Sequence, residues 1–115
     1  MKKRSYRLFI EDIVESMNRI EQYLSGMSHQ DFLSNQMVID AVIRNIEIIG
    51  EAARNIPEDI RNAYPAIPWK RIIGLRNIAI HAYFGIDLDI LWKILTESIP
   101  EAKIEILRSL ETIDE

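Results

Sequence analysis

Four side chains able to do chemistry fall within eight positions, in the stretch RNIAIHAY at 76–83: Arg76, Asn77, His81 and Tyr83. Histidine changes charge near neutral pH, so it can take or give a proton. Arginine presents a fork of donors that suits phosphate and the charge of a phosphoryl transition state. Asparagine can orient an imidazole or bind a phosphate oxygen. Together these groups suit RNA cleavage in which the ribose 2′-hydroxyl attacks the adjacent phosphate, a reaction that needs no metal ligand. A histidine and an arginine in a small helical domain are more often structural than catalytic, so the same residues also read as a satisfied polar network at a helix or dimer interface, and residue types alone leave both readings open.

The surrounding sequence sharpens the question. RNIAIHAY sits inside an apolar run expected to form a buried helix, where an unpaired polar group costs roughly 1–3 kcal/mol. On a helix at roughly 100° per residue, Lys70, Gly74, Asn77 and His81 form one stripe. Arg76 and Tyr83 form a second, roughly 140° away from His81. Arg76 and His81 therefore point apart on one straight helix. They meet only if the helix ends near His81, if the arginine bends round, or if a two-fold dimer joins two copies of the motif. Gly74 is unusual in a helix interior and is expected to leave room for another backbone or a ligand.

Other chemistries lack their residues. The 115-residue chain has no cysteine, which excludes a disulfide framework and thiol catalysis and suits a reducing compartment. It has two histidines and no carboxylate cluster with metal-ligand spacing, and it has no glycine-rich phosphate loop. No cofactor and no metal are expected. No apolar run approaches the ~20 residues of a membrane span. The N-terminal MKKRSYRLFIEDI lacks a signal core, so a cytoplasmic protein is expected. The net charge of −4 argues against binding nucleic acid over a broad surface but permits a local basic cleft. Local basic clusters are Lys2-Lys3-Arg4 with Arg7, and Lys70-Arg71 with Arg76.

The elements that must position the motif are helical. Tyr6, Ile10, Ile13, Met17, Ile20 and Leu24 form the seam of a first helix that ends at Ser25-Gly26. Ser28 to Asp31 resembles a capping box before a short helical turn. A long helix is expected from about Ser34 to Asn55, with Ile39, Val42, Ile43, Ile46, Ile49 and Ala53 buried. Pro57 suits the first position of a short helix. Tyr64-Pro65-Ala66-Ile67-Pro68 is a rigid connector, because each proline restrains the residue before it. Trp69 restarts the helix, which runs to Tyr83 and breaks at Gly85. Asp87 is the expected N-cap of the next helix, which buries Leu88, Leu91, Trp92 and Leu95. Pro100 is expected to open a last helix with Ile104, Leu107 and Leu110 as its apolar residues. No strand pattern appears. The expectation is an all-α, single-domain bundle over 1–115, with four main helices plus short helical pieces.

Arg-Asn-x-x-x-His-x-Tyr, read as Arg76, Asn77, His81 and Tyr83, resembles the signature of the HEPN superfamily. More closely, the chain is similar to the HepT toxins encoded beside an MNT-type nucleotidyltransferase antitoxin. The likeness covers nearly the whole chain and includes IGEAARNIP at 49–57, YPAIPWKRIIGLRN at 64–77 and HAYFGIDLDILW at 81–92. It implies a helical bundle that dimerises through the motif helices. It also implies a metal-independent ribonuclease with its cleft between two protomers, acting on an RNA such as tRNA or mRNA. Carried over, Arg76 stabilises phosphate charge, His81 is the general acid–base, and Asn77 orients the histidine or the phosphate. Tyr83 is the implied site of AMP attachment by the antitoxin, which would block the cleft by bulk and negative charge.

Glu51, in the GEAA segment, is a candidate cleft residue that could pair with Arg54 or Arg76. Lys70 is a second candidate on the motif stripe. Trp69 and Trp92 read as packing residues, and His29 reads as surface. A rival of another class is a non-catalytic helical partner that dimerises and presents Tyr83 to the transferase.

Overall fold

Short-range capping starts each of the first three helices. The computed structural model describes residues 5–85 and 87–112, so the Lys2-Lys3-Arg4 cluster lies outside the described residues. The first helix, α1 (Tyr6–Leu24), is capped by the Ser5 hydroxyl, which accepts from the Arg7 amide at 3.2 Å. It ends where Gly26 takes a φ of +78°, a conformation that glycine adopts without steric cost. A reciprocal capping box opens α2 (His29–Leu33). The Asp31 amide donates to Ser28 Oγ, and the Ser28 amide donates to Asp31 Oδ2, each at 3.1 Å. This one turn drives Phe32 fully into the core.

Helix α3 (Gln36–Arg54) starts two residues later than expected. Asn35 is the cap, its side chain accepting from the Val38 amide, while the Ser34 hydroxyl bonds back to Gln30 O. Its buried residues span half the helix circumference, from Asn45 and Ala52 on one flank to Ile43 and Gly50 on the other. The reason is position: α3 is central, packed by α1 on one side and by α5 on the other. Pro57 is the cap of α4 (Glu58–Ala63) rather than its first helical residue, and its carbonyl accepts from the Ile60 and Arg61 amides. The connector is not helical. Trp69 Nε1 pins it by donating to Tyr64 O at 3.1 Å.

Helix α5 (Trp69–Tyr83) matches its expected bounds and stops as Gly85 turns to a φ of +76°. Asp87 differs from expectation. It precedes α6 (Leu88–Lys93), but it has a φ of +61° and its side chain makes no capping hydrogen bond. This is a left-handed conformation, which aspartate tolerates better than most residues.

The C-terminal region also differs. Pro100 does not begin a separate helix; α6 runs through a π-helical turn (Ile94–Ser98) into α7 (Ile99–Leu110) as one rod. A proline has no N–H and its ring crowds the carbonyl four residues back, here that of Thr96. The wider turn just before it relieves that crowding, with the Ile99 amide bonded to Ile94 O. Leu91, Leu95 and Ile99 then follow one another at intervals of four, and the buried face continues through Ala102 and Ile106. Ile104 and Leu107, expected to face the core, are instead 55% and 42% exposed. Ile99, Ala102, Ile106 and Leu110 recur at intervals of three and four, so the buried stripe of α7 is itself periodic, and Ile104 and Leu107 lie to one side of it. The result is an all-α bundle of four main helical rods with α2 and α4 as short pieces. Among the described residues, no helix is long and apolar enough to cross a membrane.

Candidate active site

Helix α5 buries Ile72, Leu75, Ala79 and Ala82 against the rest of the bundle. The polar motif is not in that face. Arg76, Asn77, His81 and Tyr83 are all exposed, Tyr83 to 72%, and so are Ile80 and Phe84. The expectation of a buried polar helix is therefore corrected. Ile72, Leu75, Ala79 and Ala82 do the packing, Arg76 and Tyr83 lie at the edge of the face turned to α3, and Asn77 and His81 lie in a separate cleft. Among the described residues, Asn77, His81 and Tyr83 make no side-chain hydrogen bond, so they do not form a satisfied polar network within the protomer. Tyr83 instead meets Phe84 edge to face, with ring centroids 5.1 Å apart.

One close approach sets Arg76. A Cβ built on Gly50 of α3 would stand 2.9 Å from the Arg76 amide nitrogen and 3.3 Å from Arg76 Cβ. The glycine that admits a neighbouring backbone is thus Gly50. Gly74, expected to mark a close approach, faces open space within the protomer. Next to Gly50, Glu51 Oε2 lies 4.0 Å from Arg76 Nη1 and 3.9 Å from Arg54 Nη1. Asn55 Nδ2 donates to Glu51 O at 2.9 Å. Arg76 and Glu51 are each about half exposed, so this pair holds the guanidinium only weakly and leaves it able to turn to a phosphate.

The motif divides between two clefts. Arg76 and Tyr83 line a cleft of about 330 Å³ together with Ile43, Glu47, Ile80 and Phe84. Asn77 and His81 line a smaller one, of about 210 Å³, with Ile78, Asp87 and Ile90. Within one protomer the arginine and the histidine do not converge, as the helical spacing requires. Glu51 faces a third cleft, between α1 and α3, with Phe9, Asp12 and Arg44. Lys70 lies beside α4 with Arg61 and Asn62, apart from both motif clefts. Glu47 and Phe84 are cleft residues that sequence reading missed. Glu47 was detectable, since it precedes Glu51 by one turn on the same exposed face of α3.

Other residues have more definite surroundings than expected. His29 is exposed, but its Nε2 lies 2.9 Å from Asp89 Oδ1 and its ring stacks on Trp92 at 5.4 Å. Trp92 also packs on Phe32, as its reading as a packing residue requires. Among the described residues, no group of three or more His, Asp or Glu side chains converges as a metal site would.

An all-α bundle that displays Arg-x-x-x-x-His-x-Tyr along one helix defines a protein of the HEPN class. The chain belongs to the ribonuclease HepT-like family, whose profile matches residues 13–109. It is 47% identical to "Putative RNase MJ1380" of Methanocaldococcus jannaschii, over 92% of this chain and 97% of that protein. It is 45% identical to "Probable ribonuclease HepT" of Thermococcus cleftensis, over 88% of this chain and 92% of that one. It also aligns, at 40% identity, with half of a longer M. jannaschii protein named "Gamma-glutamylcyclotransferase and putative RNase MJ0434". No solved structure matches the chain at a significant level.

Proposed function

We propose that this chain is the ribonuclease toxin of a toxin–antitoxin pair, cutting RNA as a dimer without a metal ion. The observation that carries this reading is that α5 holds Arg76, Asn77, His81 and Tyr83 exposed, while its apolar stripe does the packing. A ribose 2′-oxygen attacks the adjacent phosphorus, and the bond from phosphorus to the 5′-oxygen breaks. His81 takes the 2′-hydroxyl proton or returns one to the leaving 5′-oxygen. Arg76 stabilises the charge that builds on the phosphoryl oxygens, and Asn77 orients the imidazole or the phosphate. The products are a 2′,3′-cyclic phosphate and a 5′-hydroxyl.

A second copy supplies what one protomer lacks. Asn77 and His81 lie in a cleft that no α3 residue lines, beside an unobstructed Gly74. Pairing two such surfaces brings the Arg76 and His81 sides of the motif to one cleft. Tyr83 is the point of control. An MNT-type nucleotidyltransferase joins its hydroxyl to the α-phosphate of ATP and releases pyrophosphate, placing an anion and a nucleoside beside Arg76.

A second reading is a non-catalytic helical partner of the nucleotidyltransferase. The separation of Arg76 from His81 within the protomer favours it, as does the accessibility of Tyr83. One experiment tests both. Unmodified protein, with Tyr83 free of AMP by mass spectrometry, is incubated with tRNA and mRNA in the presence of chelator, with His81→Ala alongside. Chelator-resistant cleavage that falls about 10²–10⁴-fold in His81→Ala supports the ribonuclease. Equal cleavage by the variant, or loss of cleavage with chelator, overturns it. No cleavage by the folded dimer, with AMP transfer to Tyr83 intact, supports the second reading.

A further inference from the structure

The acidic charge of this chain is not spread evenly. Residues 97–115 hold six Asp and Glu against Lys103 and Arg108, which accounts for the whole net charge of −4; residues 1–96 are balanced. Within the C-terminal stretch, Ser98 to Glu105 border a groove. A cavity of about 400 Å³ lies between the start of α5 and the rod formed by the π turn and α7. Its floor is apolar, with Pro68, Ile72 and Leu75 on one side and Ala102 and Ile104 on the other. Glu101 and Glu105 stand on the α7 side, and Arg71 is the one cation among the lining residues. Glu105 already pairs with Arg108 at 3.0 Å, whereas Glu101 is exposed. None of Arg76, Asn77, His81 or Tyr83 lines this groove.

An exposed isoleucine beside the Glu101 and Glu105 carboxylates is a poor surface for RNA, because those carboxylates repel phosphate. It is a good one for an amphipathic helix, whose apolar side chains enter the groove at positions i, i+3 and i+4 while its cations meet the acidic wall. We propose that the groove between α5 and α7 is a docking surface for a cationic amphipathic helix of a partner protein. The surface is separate from the motif clefts, and the inference stands whether or not the chain cleaves RNA. It assigns partners of opposite charge to different surfaces: anionic RNA to the motif clefts, and a cationic protein segment to the groove beside Glu101 and Glu105.

The test uses the full chain and two synthetic 18-residue amphipathic peptides of identical pattern, one of Leu and Lys and one of Leu and Glu. Binding is followed by fluorescence anisotropy and mapped by amide chemical-shift changes. The Leu/Lys peptide is expected to bind with shifts centred on Ile72, Leu75 and Ala102, and the Leu/Glu peptide is expected not to bind. Two variants report on the groove: Glu101→Lys with Glu105→Lys, and separately Ile104→Asp. Ile104 is more than half exposed, so the second variant is not expected to unfold the chain. Each should weaken binding at least tenfold. Equal binding by the variants overturns the proposal, as do shifts confined to the motif face or binding of neither peptide.

Discussion

Gly50 of α3 and Arg76 of α5 are in backbone contact: a Cβ on Gly50 would lie 2.9 Å from the Arg76 amide nitrogen. The atoms that would clash belong to the backbone of a packed helix, which cannot yield as a flexible side chain can. Gly50→Ala should therefore push α3 and α5 apart and destabilise the fold by about 1–3 kcal/mol, as overpacking does. Thermal unfolding checks this, at roughly 4–8 °C per kcal/mol for a domain slightly smaller than this one. Cleavage should fall further than the loss of folded protein explains, because Arg76 moves with its backbone.

Arg76 should be irreplaceable by lysine. Its side chain is half exposed and is held by Glu51 only at 4.0 Å, so Arg76→Ala and Arg76→Lys should change stability by less than about 0.5 kcal/mol. Cleavage should fall about 10²–10³-fold in Arg76→Ala. Arg76→Lys should recover little of this, because an ammonium lacks the planar fork that meets two phosphoryl oxygens at once. Single-turnover RNA cleavage measures both variants, and a fully active lysine variant would remove the bidentate role.

Tyr83→Phe separates control from chemistry. The hydroxyl is exposed and makes no hydrogen bond among the described residues, so its removal should leave folding and RNA cleavage unchanged. AMP transfer should be abolished, since phenylalanine offers no oxygen. Cells carrying this variant should be poisoned even when the nucleotidyltransferase is present. Growth assays and intact-mass measurement read the two effects separately.

Phe32 carries more stability than its one-turn helix suggests. It is fully buried and packs on Trp92 with ring centroids 5.3 Å apart, tying α2 to α6. Phe32→Ala should cost about 3–5 kcal/mol through lost burial and the cavity left behind. His29→Ala should cost far less, because its contact with Asp89 is exposed. Urea denaturation of the two variants compares them directly.

Much of this was legible in the residues, and for local reasons. The bounds of α1 and α5, the capping box at Ser28 and Asp31, and the stop at Gly85 all rest on interactions within a few positions. The divergence of Arg76 and His81 follows from 3.6 residues per turn and holds in the structure. Burial was less legible. Treating the apolar run around RNIAIHAY as buried assumed that every apolar residue on α5 had a partner, whereas α3 covers one stripe and Ile80 is left half exposed.

The sequence by itself determined that this chain is helical, where most helices begin and end, and that Arg76, Asn77, His81 and Tyr83 share one of them. Those properties depend on hydrogen bonds and spacings that close within a turn or two. Only the tertiary structure decided that these four residues face outward and that Gly50, not Gly74, admits a neighbouring backbone. Each of these depends on the phase at which one helix meets another. That phase is set by contacts between residues far apart in the chain, which leave no periodic mark in the local sequence.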